Sequence, residues 1–258
     1  MIRGIIAVII LDLKRFWLDR ARLAAGLIQP LLYLFVLGAG LGGSSTLGER
    51  YRPFIFPGTM GLSLLFSSTF AAITIVFDRQ IGFFKAILVA PIPRPAIALG
   101  KIASGALQAL VQGLVLLPFA AFAHVPLTAS SVGAMILAMT LAAATFSALG
   151  VAVAARFSST TVFPIVNNAL LLPMYFMSGA LYPLRAAPRW MQLVAHLDPV
   201  AYAVDLMRGS LLGEFFFPVP LSLAAMAGFV SVFAWAAVRR FNQGEDTDLG
   251  PSRLRLRR

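Results

Sequence analysis

Few residues in this 258-residue chain are of types that do chemistry. There is no cysteine, hence no disulfide, thiolate ligand or thiol nucleophile. Two histidines, His124 and His196, fall at or beyond the ends of apolar runs. No His, Asp, Glu and Ser lie close enough in sequence to propose a catalytic cluster, which disfavours a membrane-embedded lipid enzyme. Gly100-Lys101 invites a phosphate-loop reading, but Pro95 stands where that motif needs its first glycine and Ile102 where it needs Ser or Thr. What remains are uncharged amides. Gln108 and Gln112 are four apart and share one helix face, and Asn167-Asn168 follow Pro164. In apolar surroundings such amides either bond between helices, worth about 0.6 and up to 1–2 kcal/mol each, or line a substrate path. Both readings stand, and the four amides are the candidate path residues.

The elements that must position them are long and apolar. Six runs reach the roughly 20 residues needed to cross a bilayer: Leu23–Leu41, Phe54–Phe77, Ile102–Ala123, Val132–Ala155, Thr161–Leu181 and Pro220–Val238. None contains Asp, Glu, Lys or Arg. One charge at a helix centre costs about 3 kcal/mol on insertion scales, as much as five or more leucines return. Charged residues are 12% of the chain, about half the ~25% of a soluble domain. The sequence predicts an all-α integral membrane protein of six transmembrane helices, forming one domain over residues 1–238 with a basic tail at 239–258. With both termini cytosolic, the inner segments carry 16 basic residues and the outer ones 5. This fits the positive-inside rule. The net charge of +11 therefore reads as orientation and lipid contact, not nucleic-acid binding.

Residues 1–20 are apolar in part but too short to span. Ile2, Ile5, Ile6, Ile9, Leu13, Phe16 and Trp17 fall on one helical face, and Arg3, Asp12, Lys14, Arg15 and Asp19 lie mostly on the other. This predicts an amphipathic helix in the interface plane with Trp17 at headgroup depth. A signal peptide is the rival, but no small-residue cleavage site follows.

Two connections carry the most specific information. The inner one, Asp78–Lys101, can form a short helix with Ile81, Phe84, Ile87 and Leu88 on one face, stopped by Pro91, Pro93 and Pro95. Such a rod suits contact with another protein or with lipid headgroups. The outer one, Met177–Gly213, holds two short apolar-rich segments, Trp190–Leu197 and Val200–Met207, separated by Asp198-Pro199. Neither can cross, and both are expected to dip back toward the outer leaflet. Asp205 and Arg208, three apart, are placed to pair. Ion-driven carriers usually hold charged residues or histidine along a path inside the membrane, so the uncharged spans point to energy supplied from elsewhere.

These residues resemble the permease subunits of the ABC-2 type family of ABC transporters, which includes bacterial drug, nodulation-factor and polysaccharide exporters. The resemblance rests on the amphipathic start, on the inner run D-R…G-F-F-K-x-I-L-V-A-P-I-P-R…G-K, and on the outer run M-S-G-x-L-Y-P-L…P-x-W…L-x-P-V-x-Y-x-V-D-x-x-R. It covers nearly the whole chain. It implies a coupling helix on a separate ATPase, with Arg79, Gly82, Phe83, Phe84, Lys85, Leu88, Pro91 and Arg94 as coupling residues. It further implies re-entrant outer helices with Pro183, Trp190, Pro199, Tyr202, Asp205 and Arg208 at an outer gate. Many relatives have an acidic residue near Lys85-Ala86, and this chain has none. The resemblance implies two copies of the chain with two ATPase subunits, in a bacterial or archaeal cytoplasmic membrane. ATP and Mg would bind the ATPase, and no cofactor would bind this chain. The expected function is ATP-driven export of a lipophilic or lipid-linked substrate; the alternative is a non-transporting channel or scaffold.

Overall fold

The computed structural model describes residues 1–40, 50–81, 93–157 and 159–243. Among the described residues there is helix and turn but no strand. Helix α1 spans Ile2–Leu18 and α2 Arg20–Gly40. Tyr51–Ala71 (α3) runs almost without break into Ile73–Gln80 (α4), and α5 covers Arg94–Leu116. Then come α6, Ala129–Ala154, and α7, Val162–Met177. The last three are α8, Arg189–Ala195, α9, Pro199–Leu212, and α10, Val219–Gln243.

Local chemistry sets these boundaries. Pro93 precedes α5, and Pro95 falls in its first turn, where a missing N–H leaves no bond unmade. Thr128 and Ser131 cap the start of α6 reciprocally. Asp198 caps α9 by accepting from the Val200 N–H at 2.8 Å, with Pro199 at the first helical position. The same helix ends on Gly213 at φ 72°, a left-handed conformation open to glycine.

Helix α6 is the central element, packed by α3, α5, α9 and α10. The main core is built where Ile55, Leu64, Leu65, Met139, Phe146, Val204 and Met207 meet. A second cluster lies at the far end of the α3–α4 rod, from Ile75, Val76, Ile97, Val151, Phe163 and Phe241. Helices approach closely through small residues, Gly105 against Ser147 and Gly150 against Thr69. This is the packing expected where the solvent is as apolar as the side chains.

Four helical stretches are long and apolar enough to cross a membrane: Tyr51–Gln80, Arg94–Ala121, Ala129–Ala154 and Val219–Phe241. The fifth expected span is shorter. Helix α2 has 21 residues, whereas α7 has 16, or about 24 Å against a hydrocarbon core of about 30 Å. Helix α7 stops because the chain turns through Gly179 at φ 75° instead of continuing to Leu181.

Candidate functional site: a buried ion cluster and an opposite polar cap

Two sets of charged residues sit at opposite ends of the α3–α4 rod. The first joins α1, α4 and α5. Lys101 on α5 donates from Nζ to Asp12 of α1 at 2.9 Å and to Asp78 of α4 at 3.2 Å, and also reaches Thr74 Oγ1 at 3.3 Å. Ser104, one turn along α5, donates to the second Asp12 oxygen at 2.8 Å. Arg15, one turn along α1, donates to both Asp78 oxygens at 3.0 and 3.3 Å. The side chains of Lys101, Asp12 and Asp78 are each at most 4% exposed. Removing one partner from such a pair leaves an uncompensated buried charge, which is costly, so the set acts as a unit.

This arrangement overturns three sequence expectations. Asp12 does not face the headgroups. It lies on the packed face of α1 with Val8 and Phe16, while Ile2, Ile6, Ile10 and Trp17 are exposed. The apolar surface of α1 thus divides between a face against α5 and a face turned outward. Asp78 and Lys101, expected as the ends of the inner connection, lie inside helices and are buried. The signal was present as an Asp at the centre of an otherwise apolar helical face, but sequence alone named no partner for it.

Of the expected coupling residues, Arg79 and Arg94 are described. Arg79 is half-buried, donates to the Ala155 carbonyl at 3.0 Å, and sits 5.8 Å from the centre of the Phe241 ring. It therefore ties the end of α4 to the ends of α6 and α10. Arg94 opens α5. Gly82, Phe83, Phe84, Lys85, Leu88 and Pro91 lie outside the described residues.

The opposite cap is built around α9. Arg208 is buried and donates to the Gly179 and Ala180 carbonyls at 3.0 and 3.4 Å, with its guanidinium carbon 3.9 Å from the centre of the Phe54 ring. Tyr51 donates to the next carbonyl, Leu181, at 3.2 Å. Asp205 accepts from the Phe216 and Phe217 N–H groups at 2.7 and 3.1 Å. The expected Asp205–Arg208 pair is therefore not formed, because each group uses backbone partners on a different loop. Arg208 fixes the turn after α7, and Asp205 fixes the chain entering α10.

Tyr202 donates to the His196 carbonyl at 3.0 Å, and its ring lies 4.4 Å from that of Phe217. Pro199 starts α9, and Pro183 precedes the short turn Leu184–Ala186. Trp190 is apart from this network and exposed on α8, as are Leu193 on the same helix and Leu197 just beyond it. Burial raises the Asp198 carboxyl to about 7, against the lowering effect of the Val200 N–H.

The four amides do not form one row. Gln108 and Gln112 are buried on α5, and Gln112 fills the space beside Gly26 of α2, where a Cβ would meet its amide. Asn167 is wholly buried on α7 with neither amide atom bonded, and Asn168 is half-buried with its oxygen unpartnered.

The geometry defines a class: a multi-pass helical membrane protein with one buried ionic joint and one backbone-anchored cap. The ABC-2 type transporter family model matches residues 3–212, and the chain belongs to that family. Nodulation protein J of Rhizobium leguminosarum bv. viciae is 29% identical over 82% of this chain and 83% of its own. Nodulation protein J of Rhizobium meliloti (strain 1021) is 31% identical over 82% of each chain. The putative transport permease ycf38 of Pyropia yezoensis is 30% identical over 81% of this chain and 74% of its own. The chain is a membrane-embedded transport permease, and its family implies a partner ABC ATPase.

Proposed function

We propose that this chain is the permease subunit of an ATP-driven exporter, working as two copies with two ATPase subunits that hold the ATP and Mg. It moves a lipophilic or lipid-linked substrate, drug-like or glycolipid or polysaccharide, out of the cytoplasm. All six apolar helices cross, α7 with help from the turn that follows Met177. Both termini are cytosolic, α1 lies in the inner interface, and α8 and α9 form the re-entrant outer gate.

The observation that carries this reading is the buried ion cluster. The connecting segment leaves the end of α4 two residues after Asp78 and enters α5 at Arg94, seven residues before Lys101. Asp78 and Lys101 are bonded to each other and to α1. A push on the connecting segment, from an ATPase seated on Phe84, Lys85 and Arg94, therefore reaches α1, α4 and α5 together. Arg79 carries the same displacement to α6 and α10. The amides of Asn167 and Asn168, unpartnered on a short helix, are the polar points offered to a substrate along α7, with Gln108 and Gln112 a second pair.

The test is assembly with the ATPase and measurement of hydrolysis against export. Phe84→Ala and Arg94→Ala should leave membrane insertion intact and separate hydrolysis from transport. Normal export by both variants would remove the coupling role from this segment.

A further inference from the structure

A second charged region lies at the same end of the molecule as the ion cluster, and the transport reading does not use it. Arg156, just beyond α6, and Arg239 and Arg240, in the last turns of α10, line a recess of about 250 Å³ with Trp235 and Ala236. All three arginines are exposed, and none pairs with a carboxylate among the described residues. Three guanidinium groups around one concavity repel each other unless an anion sits between them, and guanidinium recognises phosphate oxygens by paired N–H donors.

The recess also has an apolar side. Arg239 stands 5.1 Å from the centre of the Trp235 ring, one turn back along α10. Trp235 and, a turn further back, Val232 are 61% and 58% exposed on a helix whose outer surface is apolar. A ligand with its anion among the arginines can thus lay an apolar tail along α10. Tryptophan with arginine at a helix end is the composition of the headgroup belt. A basic recess at that depth suits an acidic headgroup.

We infer that Arg156, Arg239, Arg240 and Trp235 form a binding site for the phosphate of an anionic phospholipid. Its position has a consequence for the permease. Arg79 holds the carbonyl of Ala155, the neighbour of Arg156, and stacks on Phe241, the neighbour of Arg240. A lipid bridging Arg156 to Arg239 and Arg240 therefore clamps α6 to α10 from outside, where Arg79 clamps them from within.

Native mass spectrometry of the purified full chain, released from neutral detergent with phosphatidylglycerol or phosphatidylcholine added, tests this. The wild type should retain one phosphatidylglycerol at a lipid level at least tenfold below that needed for phosphatidylcholine. Arg156→Gln/Arg239→Gln/Arg240→Gln should lose that preference, and Arg239→Lys/Arg240→Lys should keep part of it. All these positions are exposed, and an unchanged melting temperature verifies folding. Inorganic phosphate at millimolar concentration should displace the lipid only weakly, because it lacks the tail. Binding of phosphate equal to that of the lipid would overturn a lipid source. Equal retention of phosphatidylglycerol by the triple variant would overturn the site. So would a preference that appears only after truncation beyond Gln243, since the arginines would then be serving Glu245, Asp246 or Asp248.

Discussion

The ion cluster and the α9 cap solve the same problem in different ways. Each buries charged side chains in an apolar protein, where an unpaired charge is heavily penalised. In the cluster, charges on three helices answer one another: Lys101 with Asp12 and Asp78, and Asp78 with Arg15. In the cap, Asp205 and Arg208 share a helix and attract each other without a direct bond, each holding the backbone of a loop. The first arrangement fixes helices against helices, and its partners can shift only together. The second fixes two turns to one helix, and either turn can be released separately. Under the proposed function, the first would be the joint that transmits force from the ATPase and the second the cap that opens without dismantling the bundle.

Substitutions can break this contrast. The largest effect is expected for Lys101→Met, which leaves two buried carboxylates facing each other and should destabilise the fold by about 3–5 kcal/mol. Adding Asp12→Asn should recover part of the loss, a coupling of about 0.5–3 kcal/mol in a double-mutant cycle followed by unfolding in mild detergent. In the cap, Arg208→Met should lose about 1.5–3 kcal/mol, the worth of a charged hydrogen bond. Asp205→Asn on top of it should show a smaller coupling than the ion cluster does, because the two groups share no hydrogen-bond partner and interact only through their charges. Strong coupling there would erase the contrast.

Gly58→Ala probes the cap from the other side. A Cβ at that position would meet the Ala180 carbonyl oxygen, to which Arg208 donates. An overpacking loss of about 1–3 kcal/mol should result, with little effect on the ion cluster. The smallest effect is one of pH. The Asp198 carboxyl is raised from 3.8 to about 7, so the folded cap favours its neutral form. That contribution is complete below pH 3.8 and is lost as pH rises toward and through 7. Asp198→Asn should flatten this part of a melting-temperature profile between pH 4 and 8, whereas an unchanged slope would place the titration elsewhere.

The sequence made the helical membrane class legible because uncharged runs of about 20 residues leave few alternatives. Helix α9 was legible only in part: the apolar segment Val200–Met207 was read, but the helix runs on to Leu212, where Gly213 ends it. The ion cluster was hidden. Asp12, Asp78 and Lys101 are 66 and 23 residues apart along the chain; Asp78 and Lys101 read as boundary charges, and Asp12 inside α1 names no partner. Only the packing of α1 on α5 brings them together. Asp205–Arg208 failed in the opposite direction. The spacing of three allowed a pair, but backbone N–H and carbonyl groups at helix ends were nearer and needed partners. The short α7 was misjudged because Gly179 ends the helix inside an apolar run, where hydropathy does not change.

The account stands most directly on which end of the molecule meets the ATPase. A photo-crosslinking amino acid placed at Phe84 in one variant and at Trp190 in another, in whole membranes, compares the two ends with one chemistry. Capture of an ATPase subunit from position 84, and none from position 190, is the predicted result. Capture from position 190, or an ATPase that copurifies but is never reached from position 84, would contradict it.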